Sequence, residues 1–219
     1  QDEQQGQGAS FGPVLNATGG IVAFMSAAPN LVPGDTNGVR DVFVRTPGGD
    51  THRISVSNAG GQGNANSFDP AISADGTVVS FSSDARTLVR RDDNASTDVF
   101  VHDRTSGATQ VVSVRGNRTL VPGDSKNAAI SADGRRVVFA SAARRLVDGD
   151  TNRAVDIFVR LRAAAVTRRV SLGAAGQANG PSDEPVISPA GTQVAFSSAA
   201  SNLVRGDTNG DRDIFRRQL

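Results

Sequence analysis

The feature that most constrains this chain is a fourfold internal repeat. Phe24, Phe81, Phe139 and Phe196 are separated by 57, 58 and 57 residues. Asp41, Asp98, Asp156 and Asp213 keep the same intervals. So do Gly19, Gly76, Gly134 and Gly191, and so do Leu31, Leu88, Leu146 and Leu203, each followed by Val. Four markers of different chemistry share one period over a chain of 219 residues. A unit that recurs in this way packs against copies of itself, since it is too small to bury its own apolar surface.

Each copy divides into short apolar segments separated by turns. The first segment is PVLNA from 13, PAISA from 70, AAISA from 128 and PVISP from 185. A Gly-containing turn follows, then IVAFMS, VVSFSS, VVFAS or QVAFSS. A longer loop leads to DVFVR, DVFVH, DIFVR or DIFRR. A further turn leads to RISVS from 53, VVSVR from 111 and RVSLG from 169. Segments of four or five residues rich in Val, Ile and Phe, punctuated by Gly, predict antiparallel β-meanders. Four-stranded meanders at a fixed interval predict an all-β fold, a four-bladed β-propeller. The blades fall at about 11–57, 68–115, 127–172 and 183–219, with 1–10 as an N-terminal arm. A piece of a larger ring, or a ring shared by two chains, are the alternatives.

The chain resembles the TolB-like (WD40-like) β-propeller repeat family. The resemblance rests on Pro-x-Ile-Ser-x-Asp-Gly at 70–76, on partial matches at 130–134 and 185–191, on the Val-x-Phe strand, and on the Asp-Val/Ile-Phe-Val strand. It covers nearly the whole chain and implies a fold. It implies little about activity, because such repeats serve many functions.

The fourth segment of a blade occurs three times, not four. From Asp213 through the end, and on from the start to Asp41, the chain offers 47 residues where the repeat takes 57 or 58. The last blade therefore lacks its outer strand within the chain, and Asp213, Ile214, Phe215, Arg216, Arg217, Gln218 and Leu219 form an open edge. An unpaired edge is a template for another strand. It can stay bare, be covered by the arm that begins Gln1, Asp2, Glu3, Gln4, Gln5, or accept a strand from another chain. A head-to-tail contact between identical chains grows into a fibre.

The loop before each third strand carries Asp-x-Asn-x-x-x-Asp: Asp35, Asn37 and Asp41; Asp92, Asn94 and Asp98; Asp150, Asn152 and Asp156; Asp207, Asn209 and Asp213. Alternating carboxylates and amides would suit calcium, with water and carbonyls completing the shell. The same residues stabilise turns without an ion by bonding their own backbone. Scaffolding is the first reading and a calcium site the second; no cofactor is required.

Catalytic constellations are sparse. The two histidines, His52 and His102, have no Cys or triad partner in the sequence and read as surface residues. Asp69 and Glu184 occupy equivalent positions before the first strand of copies two and four, where Gly12 and Asn127 stand in the others. They read as solvated strand ends rather than an acid/base pair. All ten Phe sit at repeat positions, which leaves little for a sugar-stacking platform. A net charge of +1 with both signs interspersed argues against nucleic acid, and no apolar run reaches membrane-spanning length. Cys is absent, so no disulfide framework constrains the fold. An initial Gln suits a chain left by signal-peptide cleavage, which predicts an extracellular or periplasmic location. The expectation is a non-enzymatic structural or interaction propeller that self-associates or binds a protein partner. A propeller binding a glycan or protein through its loops is the alternative.

Overall fold

The computed structural model describes residues 5–174 and 176–219. Nineteen strands build four blades and two small hairpins. The first blade is β1 (Ser10–Leu15), β2 (Val22–Ser26), β3 (Asp41–Arg45) and β4 (Thr51–Arg53). The second is β5 (Ser67–Ile72), β6 (Val78–Ser83), β7 (Asp98–Asp103) and β8 (Ala108–Val111), and β9 (Val114–Arg115) and β10 (Thr119–Leu120) pair beside it. The third is β11 (Ser125–Ile130), β12 (Arg136–Ser141), β13 (Asp156–Leu161) and β14 (Val166–Arg169). The hairpin β15 (Leu172–Gly173) with β16 (Gly176–Gln177) leads to the last blade, β17 (Ser182–Ile187), β18 (Gln193–Ser198) and β19 (Asp213–Gln218). Within each blade, strands pair antiparallel in sequence order. Three blades are four-stranded and the last is three-stranded, as the repeat arithmetic implies.

The repeat is as exact in contacts as in spacing. The two central strands bring a Phe pair into register in every blade: Phe24 with Phe43, Phe81 with Phe100, Phe139 with Phe158, Phe196 with Phe215. Their rings stack at centroid separations of 5.8, 5.7, 6.0 and 5.9 Å. A serine pair bonds across the first two strands in each: Ser10 to Ser26, Ser67 to Ser83, Ser125 to Ser141 and Ser182 to Ser198. Every first strand is also bulged at the same place, and the bulge residue takes positive φ: Gly12, Asp69, Asn127 and Glu184. Gly, Asn and Asp tolerate that conformation, which accounts for Gly12, Asp69 and Asn127; nothing comparable favours Glu184.

Two expectations about strand limits change. The inner strand begins earlier than its apolar segment, so Phe11 and Phe68 lie within β1 and β5 rather than before them. The outer strand also comes earlier: β4, β8 and β14 end where RISVS, VVSVR and RVSLG begin. Those segments cross to the next blade instead. Ile54, Val112 and Val170 follow directly and are buried in the cores between blades, so they were apolar for plugging an interface rather than for strand pairing.

Among the described residues there are three such cores, one for each junction between consecutive blades. The Phe pair of one blade packs against aliphatic residues of the blade before it. Phe81 and Phe100 meet Ala23, Val42 and Val44; Phe139 and Phe158 meet Val99 and Val101; Phe196 and Phe215 meet Val138, Ile157 and Val159. Backbone bonds staple the same junctions. The Ala17 N–H donates to the Ala74 carbonyl, Ala74 to Ala132, and Ala132 to Pro189. Ser67 donates to Arg40, Ser125 to Thr97 and Ser182 to Val155. Among the described residues no core and no hydrogen bond joins the last blade to the first. The four blades form an open arc. Pro189 fits its end, because proline has no N–H to pass the first series of bonds onward. No helix is long and apolar enough to cross a membrane.

Candidate functional site

The loops with the acidic pattern sit at one end of the blades, between the second and third strands. In each, the Asn side chain is committed on both sides. Its amide nitrogen donates to the last Asp of the pattern: Asn37 to Asp41, Asn94 to Asp98 and Asn152 to Asp156 at 2.8 Å, and Asn209 to Asp213 at 3.2 Å. In the first three blades it also donates to a carbonyl of the crossover, that of Gly63, Val121 or Ala178. Its oxygen accepts the backbone N–H two residues on, from Val39, Ser96, Ala154 or Asp211. This is an Asx turn tied to a strand end.

The last Asp is the buried anchor. Asp41, Asp98 and Asp156 are buried, and each accepts the hydroxyl of a serine just past the outer strand: Ser55, Ser113 or Ser171. That serine also accepts the N–H of Val42, Val99 or Ile157. One carboxylate thus locks the loop, the third strand and the crossover together. Burial pushes the Asp41 and Asp156 carboxyls up, against the lowering effect of Ser55 and Asn37, or of Ser171 and Asn152.

The cations that complete two of these sites were not anticipated. Arg53 lies 3.4 Å from Asp35 and 3.6 Å from Asp41; Arg169 lies 3.3 Å from Asp150 and 3.8 Å from Asp156. Gln62 and Gln177 hold these guanidiniums in place. In the second blade the corresponding residues are Val111 and Leu120. No guanidinium reaches Asp98 there, and burial with the nearby Asp92 and Asp124 raises its carboxyl to about 7. Asp92 is raised by burial too, and one of its oxygens is buried without a partner. Aligning RIS, VVS and RVS would have shown both the recurring serine and the alternating arginine. Among the described residues no group of three or more His, Cys, Asp and Glu side chains converges to hold a metal.

The other candidates separate in space. His52 is exposed, but His102 is buried rather than on the surface, and its Nδ1 lies 2.9 Å from the Thr109 hydroxyl. It fills the slot taken by Arg45 and Arg160 in the neighbouring blades, and burial lowers its pKa. Asp69 and Glu184 belong to the second and fourth blades of an arc that does not close. At the open edge, Asp213 keeps its Asn209 bond without a serine partner. Ile214 is 76% exposed, while Phe215 is buried against the third blade. Arg217 is turned back onto the Leu172 and Leu203 carbonyls. Gln5 does not lie on that edge. Asn30 of the first blade donates to the Gln5 carbonyl and accepts the Gln7 N–H, as Asn202 does with Gln177 and Asn179 in the fourth. The arm enters the first blade as a crossover from a preceding blade would. Gln1, Asp2, Glu3 and Gln4 lie outside the described residues.

Comparison with known proteins agrees with this architecture. No family model matches the chain, and no curated protein matches it. Solved structures do. TolB from Acinetobacter baumannii aligns with a TM-score of 0.56 and 12% identity over 96% of this chain and 41% of its own. A putative TolB from Agrobacterium tumefaciens gives 0.56 and 17% over 96% and 58%. The chain has a TolB-like β-propeller fold. The propeller domain of the Trilobed protease from Pyrococcus furiosus, described as having an open velcro topology, aligns with a TM-score of 0.52 and 9% identity over 99% of this chain and 59% of its own. The chain spans about two fifths to three fifths of the length of these three structures.

Proposed function

We propose that this chain is a non-enzymatic structural or interaction propeller that associates end to end, the last blade of one copy against the first blade of the next. The observation that carries this reading is the repetition of the interface itself. At each internal junction a Phe pair covers a Val/Ile surface, and apolar positions of that contact recur exposed at the two ends of the arc. On the first blade Leu15 is 63% exposed where its counterparts Ile72, Ile130 and Ile187 are half-buried, and Phe24 is half-buried where Phe81, Phe139 and Phe196 are buried. The last blade presents Ile214 and, 59% exposed, Val186. An exposed apolar surface with a ready-made complement marks a contact site. The unpaired edge of β19 lies beside it and can take a strand from the incoming copy.

Two substitutions make this contact weaker than the internal ones. Arg216 replaces Val44, Val101 and Val159 on the joining surface, and Pro189 withholds one backbone bond. Arg216 would face the half-buried Phe24 ring, a tolerable pairing. The association is therefore reversible, and being head-to-tail it is open and grows into filaments. We place the protein outside the cytoplasm, extracellular or periplasmic. The acidic loops act as scaffolding in this reading, so calcium and chelators leave the melting temperature unchanged.

Sedimentation velocity over a range of concentrations, with negative-stain microscopy of the concentrated protein, tests the proposal. Multimers or fibres that disappear in Ile214→Asp and Leu15→Asp, with the melting temperature preserved, support it. A wild-type chain that stays monomeric at high concentration overturns it.

A further inference from the structure

An arginine-rich cleft lies between the outer strand of the second blade and the third blade. It occupies about 630 Å³, inside the ~300–1,000 Å³ range of small-ligand sites. Arg90, Arg91, Arg118, Arg160 and Arg162 line it, and Asp93 is the only acid that does. The equivalent site beside the first blade has Arg53 as its single arginine. There Arg53 and Gln62 are consumed by Asp35 and Asp41. In the second blade Val111 and Leu120 stand in their place, and the charge has moved from the floor to the walls.

The arginines are unequally committed. Arg160 is 6% exposed. It donates to the Gly116 carbonyl and the Thr167 hydroxyl, and burial alone shifts its pKa, downward, with no acid set against it. Arg162 donates to the Gly134 carbonyl, as Arg104 does to Gly76 in the blade before, but its Nε is buried without a partner. Arg90, Arg91 and Arg118 are exposed and make no hydrogen bond or ion pair among the described residues. A buried cation without a counter-ion is costly, and an anion in the cleft would offset that cost.

We infer that this cleft binds an acidic saccharide, its carboxylate or sulfate groups held by the arginines. The remaining lining selects within the anions. Gln110 and Asn117 bring amides suited to sugar hydroxyls, Asn58 adds its amide N–H while its oxygen accepts the Thr109 N–H, and no aromatic ring lines the cleft. Nucleobases take stacking rings, and neutral sugars have nothing charged to recommend them here. Planar guanidiniums pair with carboxylate and sulfate oxygens two at a time.

Isothermal titration of the full chain with a galacturonate trisaccharide, a sulfated disaccharide, a neutral disaccharide and inorganic sulfate tests the inference. Binding of either acidic saccharide at least tenfold tighter than the neutral one and than inorganic sulfate supports it; which of the two wins identifies the anionic group. The variant R90A/R91A/R118A, all three exposed, keeps its melting temperature and loses at least tenfold in affinity. No binding of either acidic saccharide, equal binding of inorganic sulfate, or unchanged affinity in the triple variant overturns it.

Discussion

The third and fourth blades are written from nearly the same sequence and differ in what surrounds them. Ile157 and Phe158 are both fully buried, one facing each neighbouring blade. Their counterparts Ile214 and Phe215 are split, with Phe215 buried against the third blade and Ile214 facing solvent. Asp156 is locked by Ser171 and Arg169; Asp213 has only Asn209. The same residue is core in one copy and surface in the next. In a stacked array a unit's stability is largely that of its junctions, and the fourth blade has one where the third has two.

The contrast can be broken most forcefully at the rings. Phe158→Ala should cost about 3–5 kcal/mol, the usual range for emptying a buried aromatic site, and should unfold the array as a unit. Phe215→Ala should cost visibly less, because only the terminal blade depends on it. Urea unfolding followed by circular dichroism measures both, and equal losses would mean that the fourth blade is as integral as the third.

A second test uses pH within the completed blades. The folded-state pKa of Asp98 lies near 7, above its ordinary value of 3.8, so the folded chain holds this proton more tightly than the unfolded one. The resulting stability is fully present below about pH 4 and is lost as pH rises through 7. At about 1.4 kcal/mol per pKa unit, the swing has an upper bound of roughly 4 kcal/mol. Asp98→Asn should flatten that part of the stability profile relative to wild type. Val111→Arg, which recreates the Arg53 and Arg169 arrangement, should keep the second blade stable to higher pH. A profile that Asp98→Asn leaves unaltered would remove Asp98 from the account.

Smaller effects sharpen the comparison further. Ser171→Ala deprives the buried Asp156 carboxylate of a donor and should cost about 1–3 kcal/mol, whereas Asp213→Ala should cost under about 1 kcal/mol because its hydrogen bond is exposed. Ile214→Asp is expected to change monomer stability by no more than about 0.5 kcal/mol, the ordinary size of a surface substitution. The same substitution buried at Ile157 would prevent folding, since an unpaired charge would enter the core between the third and fourth blades.

Much of this was legible in the residues. The spacing of the Phe, Asp and Gly markers carried the repeated antiparallel meander, the missing outer strand of the last copy and the use of the Phe rings in packing, because period-two strands and a fixed repeat leave few ways to bury those rings. The turn bonds of Asp-x-Asn-x-x-x-Asp were legible as well, since Asn and Asp so placed bond their own turn. The outer strands were misplaced because Ile54, Val112 and Val170 are apolar for a long-range reason that local pattern does not reveal. His102 looked like a surface residue because nothing nearby in sequence announces Thr109 as its partner or the burial of its slot.

What the sequence determined by itself is therefore the blade: local strand pattern, turn chemistry and repeat register all act within some tens of residues. What only the tertiary structure decided is how the blades meet. That Arg53 and Arg169 reach two acidic loops while Val111 stands in that place in the second depends on packing within a blade; that the arc stays open and that five arginines gather around one cleft depend on contacts between blades. Such contacts join residues some fifty positions apart, and their energies depend on burial and on distances that no local pattern encodes.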